Sequence, residues 1–197
     1  MISAIILAAG ESKRMGRQKM LLPWGTDSVL GHVISVFQAA GIDDILVVTG
    51  SAHERVVSHL AGRANVRTVF NANYAEGEML SSIQCGLAAS GPGTSAALIG
   101  LGDQPQVQKT TVERVCTAFR DRECVLVVPS YHMRRGHPWL IARSLWSRLA
   151  DLGPPQTARD FLNSNASEIE YVNIDSPSLI EDLDTPGDYR RFNPTGP

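Results

Sequence analysis

The opening of the chain constrains its fold more than any other stretch. Ala4-Ile5-Ile6-Leu7-Ala8 is an unbroken aliphatic run, the pattern of a strand buried on both faces of a parallel sheet. The run stops at Ala9-Gly10 and gives way to a segment carrying Lys13, Arg14, Arg17 and Lys19 against one acid, Glu11. The chain has only three lysines, and two of them lie here. A buried strand that feeds a glycine-containing cationic loop is a phosphate-holding device. Glycine lets the backbone come close, peptide N–H groups point at the anion, and the cations neutralise it. Open α/β sheets bind ligands beyond the carboxyl ends of their strands, which is where this loop falls. Two common phosphate patterns do not fit. G-x-x-x-x-G-K-[ST] counted from Gly10 meets Met15 where a second glycine belongs, and G-x-G-x-x-G meets Ser12.

Downstream, apolar residues switch between strand and helix periodicity. Val29, Val33, Ile34, Phe37 and Ala40 recur at helical spacing, with Ser28 as cap and Gly41 as stop. Strands are expected at residues 45–49 and 66–70, with a short helix around Val56, Val57 and Leu60 between them. Further strands are expected at 96–101, 123–129 and 169–174, and helices at about 79–89, around Val112 to Phe119, at 144–150 and at 157–163. This alternation indicates an α/β fold with a doubly wound parallel sheet. A length of 197 residues suits a single domain. That domain is expected over residues 1–192, with 193–197 as a short flexible tail.

Composition narrows the partners. A net charge of −2 argues against a nucleic-acid binder. No apolar run approaches the ~18 residues of a membrane span. The first strand is too short, and lacks the flanks, to read as a secretory signal. Cys85, Cys116 and Cys124 are odd in number and form no C-x-x-C pair. They read as reduced thiols in a cytoplasmic protein.

The first loop, L-A-A-G-x-S-x-R-M-G-x-x-K-x-L-L, resembles the signature of the MobA-like nucleotidyltransferases, most closely the molybdenum cofactor cytidylyltransferases. The resemblance implies a Rossmann-like, nucleotide-diphospho-sugar transferase-like domain with a small β-hairpin over the site. It implies that Leu7, Ala8, Ala9 and Gly10 wrap the nucleotide, and that Arg14 and Lys19 contact its phosphates. Ala9 stands where the guanylyl branch has glycine, which favours CTP. Asn71, Tyr74, Gly77 and Ser81 match N-x-x-Y-x-x-G-x-x-x-S, which is similar to the family's base and ribose segment. Gly77, Ser81 and Ser82 are therefore expected near the nucleotide. For the serines, ordinary helix capping is an equally good account.

Three later motifs match in the same order. Gly102-Asp103-Gln104-Pro105 resembles G-D-x-P and makes Asp103 the implied Mg²⁺ ligand. Mg²⁺ commonly takes one or two carboxylates and completes its shell with phosphates and water. Arg134-Arg135-Gly136-His137-Pro138 resembles R-x-G-H-P, a hairpin on the acceptor side. Arg135 and His137 are implied acceptor contacts, although His137 fits a turn-holding role equally well. Arg159, in a segment that resembles a helix near the acceptor pocket, is a further candidate. Asp182-Leu183-Asp184-Thr185-Pro186-Gly187-Asp188-Tyr189 is similar to D-x-D-T-P-x-D-Y, and Asp184 is favoured over Asp182 as a second metal contact.

The implied activity is Mg²⁺-dependent transfer of CMP from CTP to the phosphate of molybdopterin or molybdenum cofactor, with release of pyrophosphate. Contact with a molybdoenzyme or its chaperone is a possible partner role; nucleic acid and membrane are not expected. Two alternatives stay open: a different phosphate acceptor such as a sugar or alcohol phosphate, and a non-catalytic carrier of cofactor or nucleotide.

Overall fold

The computed structural model describes residues 1–194. The last three positions of the expected tail, 195–197, lie outside the described residues. The chain opens with β1 (Ile2–Ala8), passes through the loop over residues 9–22, and makes a two-residue ribbon from β2 (Pro23–Trp24) and β3 (Asp27–Ser28). Helix α1 (Val29–Ala39) follows, its first turn capped by the Ser28 hydroxyl, which accepts the Gly31 N–H. Gly41, at φ +83, turns the chain out of the helix. Next come β4 (Ile45–Thr49), α2 (His53–Leu60), β5 (Val66–Phe70), α3 (Glu78–Ala88), β6 (Ala96–Leu101) and α4 (Lys109–Asp121). The remainder is β7 (Leu126–Tyr131), β8 (Arg134–Arg135), β9 (Trp139–Ala142), α5 (Trp146–Ala150), α6 (Ala158–Ser164), β10 (Ile169–Asn173) and α7 (Pro186–Phe192).

The main sheet runs β10-β7-β9-β6-β1-β4-β5, with β8 beside β7. From β1 the chain winds outward to β4 and β5, then returns to lay β6 on the other side of β1. Both pairings of β1 are parallel, and Leu7 lies opposite Leu101. The strand order therefore reverses between β1 and β6, and their carboxyl ends form the crevice where such sheets bind ligands. β1 is buried on both faces because each face has its own core. Ala4, Ile6 and Ala8 pack with Phe37, Val47 and Val112 on one side. Ile5 and Leu7 pack with Ile83, Trp139 and Phe161 on the other. That two-sided burial accounts for the unbroken apolar run.

Two expectations shift. β7 begins at Leu126 rather than at residue 123, because Arg122 closes α4 and Glu123 sits at φ +49. The strand extends to Tyr131, where it gains partners in β8 and β10. The expected hairpin also divides in two. His132 and Met133, both at positive φ, make the tight turn, and β8 pairs with β7 over only two residues. The returning chain then leaves the site, and β9 enters the main sheet antiparallel between β6 and β7. Leu140 and Ile141 are fully buried there, whereas Arg134 at the turn stays exposed.

Candidate active site

At the crevice between β1 and β6, four charged side chains meet. The Lys19 ammonium lies 2.5 Å from Asp103 Oδ2 and 3.1 Å from Asp184 Oδ1. Arg14 reaches the other oxygen of Asp184 at 2.9 Å. The residues come from the loop after β1, the loop after β6 and the segment before α7. Lys19 is 8% exposed, an unusual burial for lysine. Burial disfavours its charge, yet the neighbouring Asp103 and Asp184 outweigh that cost and lift its pKa above the ordinary lysine value. The ammonium is thus held protonated. Arg14, by contrast, is a largely solvated side chain on the rim, where an ion pair contributes little to stability.

The loop is pinned from several sides. Met15 and Met20 are buried anchors within two short 3₁₀ turns, Lys13–Met15 and Lys19–Leu21. The Lys19 N–H donates to Ser12 Oγ at 3.2 Å, setting the backbone from which the ammonium projects. From the neighbouring strand end, Ser51 Oγ donates to the Gly10 carbonyl at 3.0 Å. Gly50 permits this approach, since a Cβ there would lie 2.4 Å from the Ala9 carbonyl oxygen. Lys13 pairs with Glu11 in solvent and takes no part in the cluster.

The acid at 184 is placed by a short, well-defined motif. Thr185 and Asp188 form a reciprocal capping box at the start of α7, and the Asp184 N–H also donates to Asp188. Leu183, fully buried with Trp24 and Val29, forces its two acidic neighbours outward. Asp182 accepts from the Gln104 amide at 2.9 Å, next to Asp103 in sequence. Of the two acids considered, Asp184 is the one beside Lys19 and Asp103.

A cleft of about 1570 Å³ runs along the ends of β7 and β10. Gly77, Ser81, Arg135, His137 and Arg159 line it, so three segments separated by 54 and 22 positions share one space. Arg135 is held by two donations, from Nε to the Tyr171 hydroxyl at 2.9 Å and from Nη1 to Asn163 Oδ1 at 2.7 Å. Gly77 is required by Ser81, whose Oγ would lie 2.4 Å from a Cβ at position 77.

Several expected residues lie in packed surroundings. Ser82 is 4% exposed, its hydroxyl accepts from Asn71 at 3.1 Å, and it does not line the cleft. It supports the loop that carries Asn71. Leu7 and Ala8 have buried side chains and a backbone committed to the sheet, where Leu7 C=O accepts the Gly102 N–H at 2.9 Å. Ala9 is likewise buried, which leaves Gly10 as the exposed member of that quartet. His137 has a buried Nε2 without a hydrogen-bond partner, and burial pushes its pKa down to about 4, with Asp182 only partly opposing. A neutral imidazole cannot serve as a phosphate-holding cation at neutral pH. Several supporting residues are specified by no motif: Gln104 on Asp182, and Asn163 and Tyr171 on Arg135. Their partners lie tens of residues away, so no local spacing marks them.

The donor set suits a small hard dication. Asp103 and Asp184 offer carboxylate oxygen only, and among the described residues no group of three or more His, Cys, Asp or Glu side chains gathers to cage a metal. Two carboxylates with open positions fit an ion that shares its shell with phosphates and water.

Known proteins carry the same arrangement of elements. Residues 4–169 match the MobA-like NTP transferase domain. Among curated proteins, the chain is 27% identical to molybdenum cofactor cytidylyltransferase of Escherichia coli, over 95% of this chain and 93% of that one. It is 29% identical to nicotine blue oxidoreductase of Paenarthrobacter nicotinovorans, covering 93% and 92%. Among solved structures, Rv0371c of Mycobacterium tuberculosis superposes with a TM-score of 0.82 at 30% identity over 97% of both chains. A complex of Rv0371c with manganese is similar at a TM-score of 0.78 and 28% identity, covering 98% and 97%. With the family match spanning most of its length, the chain belongs to the MobA-like nucleotidyltransferases.

Proposed function

We propose that this protein transfers CMP from CTP to the terminal phosphate of molybdopterin or its metal-loaded form, releasing pyrophosphate. One observation carries the reading: Lys19 and Arg14 meet Asp103 and Asp184 where β1 and β6 end side by side. In the proposed reaction an oxygen of the acceptor phosphate attacks the α-phosphorus in line, and the bond from that phosphorus to the bridging oxygen breaks. A phosphate monoester is largely ionised near neutral pH, with a second pKa of ~6, so no general base is assigned. Lys19 and Arg14 bind the triphosphate and offset the charge that builds on the departing pyrophosphate. Gly10 gives the phosphates close access to backbone. Arg135 and Arg159, on the cleft wall, hold the acceptor phosphate; Asn163 and Tyr171 keep the Arg135 fork aimed. Asp103 and Asp184 are the groups that would hold Mg²⁺, which supplies Lewis-acid polarisation of phosphate oxygens when bound.

CTP as donor rests on Ala9 and on the cytidylyltransferase relative; molybdopterin as acceptor rests on that relative together with the size of the cleft. Pyrophosphate release measured with each of the four nucleoside triphosphates and with molybdopterin, glucose 1-phosphate or glycerol phosphate tests both. Release only with CTP and molybdopterin is expected. Release with a sugar phosphate alone would reassign the acceptor, and tight CTP binding without any release would indicate a carrier. The similarity to nicotine blue oxidoreductase favours a second reading, redox chemistry on the same scaffold. Absence of pyrophosphate together with reduction of an added dye would select it.

A further inference from the structure

The seat between Asp103 and Asp184 is taken by an ammonium. Lys19 Nζ sits 2.5 Å from one carboxylate and 3.1 Å from the other, and a dication bound to the same oxygens at about 2.0–2.1 Å would need that space. Lysine and metal therefore compete for one pair of anions. The bookkeeping of charge sharpens the point: Arg14 and Lys19 against Asp103 and Asp184 sum to zero. A neutral, ion-paired cluster offers a free dication little attraction.

A triphosphate changes the balance. Arg14 is mostly solvated, and Lys19 projects on a flexible four-carbon stem. Both cations can pass to the phosphates without moving the backbone that Ser12, Met15 and Met20 hold. Their departure leaves two carboxylates facing a polyanion, the environment in which a divalent ion binds best.

We propose that Lys19 is a built-in placeholder for the divalent ion, neutralising Asp103 and Asp184 until a nucleoside triphosphate draws it away. Metal then binds together with or after the nucleotide, and not tightly before it. The inference rests on the reading that Asp103 and Asp184 hold the metal, and it adds an order of binding.

The test uses Mn²⁺, read by the electron paramagnetic resonance signal of the free ion, with the whole protein and no acceptor. Wild type without nucleotide should bind Mn²⁺ weakly. Lys19→Met should bind it about tenfold or more tightly, although the same change weakens triphosphate binding. Adding an α,β-methylene analogue of CTP should tighten Mn²⁺ binding by wild type and change the variant little. Combining Lys19→Met with Asp184→Asn should abolish the gain. If Lys19→Met does not fold by circular dichroism, Lys19→Gln carries the same measurement. Unchanged Mn²⁺ affinity in the folded variant would overturn the proposal, as would tight binding by nucleotide-free wild type. The two readings fail separately. A gain in Mn²⁺ affinity without any pyrophosphate release keeps the exchange and removes the activity; release without the gain does the reverse.

Discussion

The ion cluster and the cleft are built from different materials. The cluster packs four formal charges into one contact network around a lysine that is almost wholly buried. The cleft is wide, and its His137 is held neutral. Its Arg135 is tied to Tyr171 and Asn163 rather than to an acid. Under the proposed reaction the triphosphate, common to every such enzyme, would be held at the dense cluster, and the acceptor, which differs between enzymes, along the β7–β8 turn, α6 and β10. Substitutions at the cluster would then act on the chemistry, and those in the cleft on the acceptor.

Substitutions in the two regions should therefore separate. Asp103→Ala should cost the most, lowering pyrophosphate release by on the order of 10³-fold while circular dichroism stays unchanged. A rate near wild type would remove Asp103 from the site. Arg135→Ala should raise the KM for the acceptor by roughly tenfold, the loss of one charge-assisted contact, and leave the KM for CTP alone. An equal rise in both would merge the two regions into one.

Stability offers a third contrast. Burial depresses the His137 pKa to about 4, below its value in an unfolded chain. Between about pH 6.5 and 4 the unfolded chain takes up a proton that the folded one refuses, so stability falls as pH drops through that window. The slope should be at most ~1.4 kcal/mol per pH unit, and His137→Asn should flatten it in urea titrations at pH 7 and 5. The smallest effect belongs outside both regions. Lys109 pairs with Glu113 at 3.3 Å on the exposed face of α4, so Lys109→Ala should cost no more than ~0.5 kcal/mol. Its pyrophosphate release should match wild type.

Much of the ion cluster was readable before any coordinates. Gly10, Arg14 and Lys19 sit in one continuous motif, Asp103 follows a strand directly, and Thr185 and Asp188 announce a capped helix just after Asp184. The cleft was less legible. Ser82 looks like its neighbour Ser81 in sequence, and Asn71 donates to both hydroxyls, yet the ~100° step between consecutive helix residues leaves Ser81 on the cleft and Ser82 buried. His137 reads equally as an acceptor contact or as a turn-holding residue, and burial of its Nε2, which makes it neutral, favours the second. β9 reads as the returning half of a hairpin, while its four buried residues fill the gap between β6 and β7.

By itself the sequence determined the alternation of strands and helices, the winding of the sheet and the short loops that carry charge. Each of those is written in local periodicity, capping or a contiguous motif, which a chain expresses over a few neighbouring residues. Only the tertiary structure decided that Lys19 lies between Asp103 and Asp184, that Gln104 braces Asp182, and that Asn163 and Tyr171 steady Arg135. Such contacts join segments tens to more than a hundred residues apart, and their geometry exists only once two cores have packed against the sheet between them.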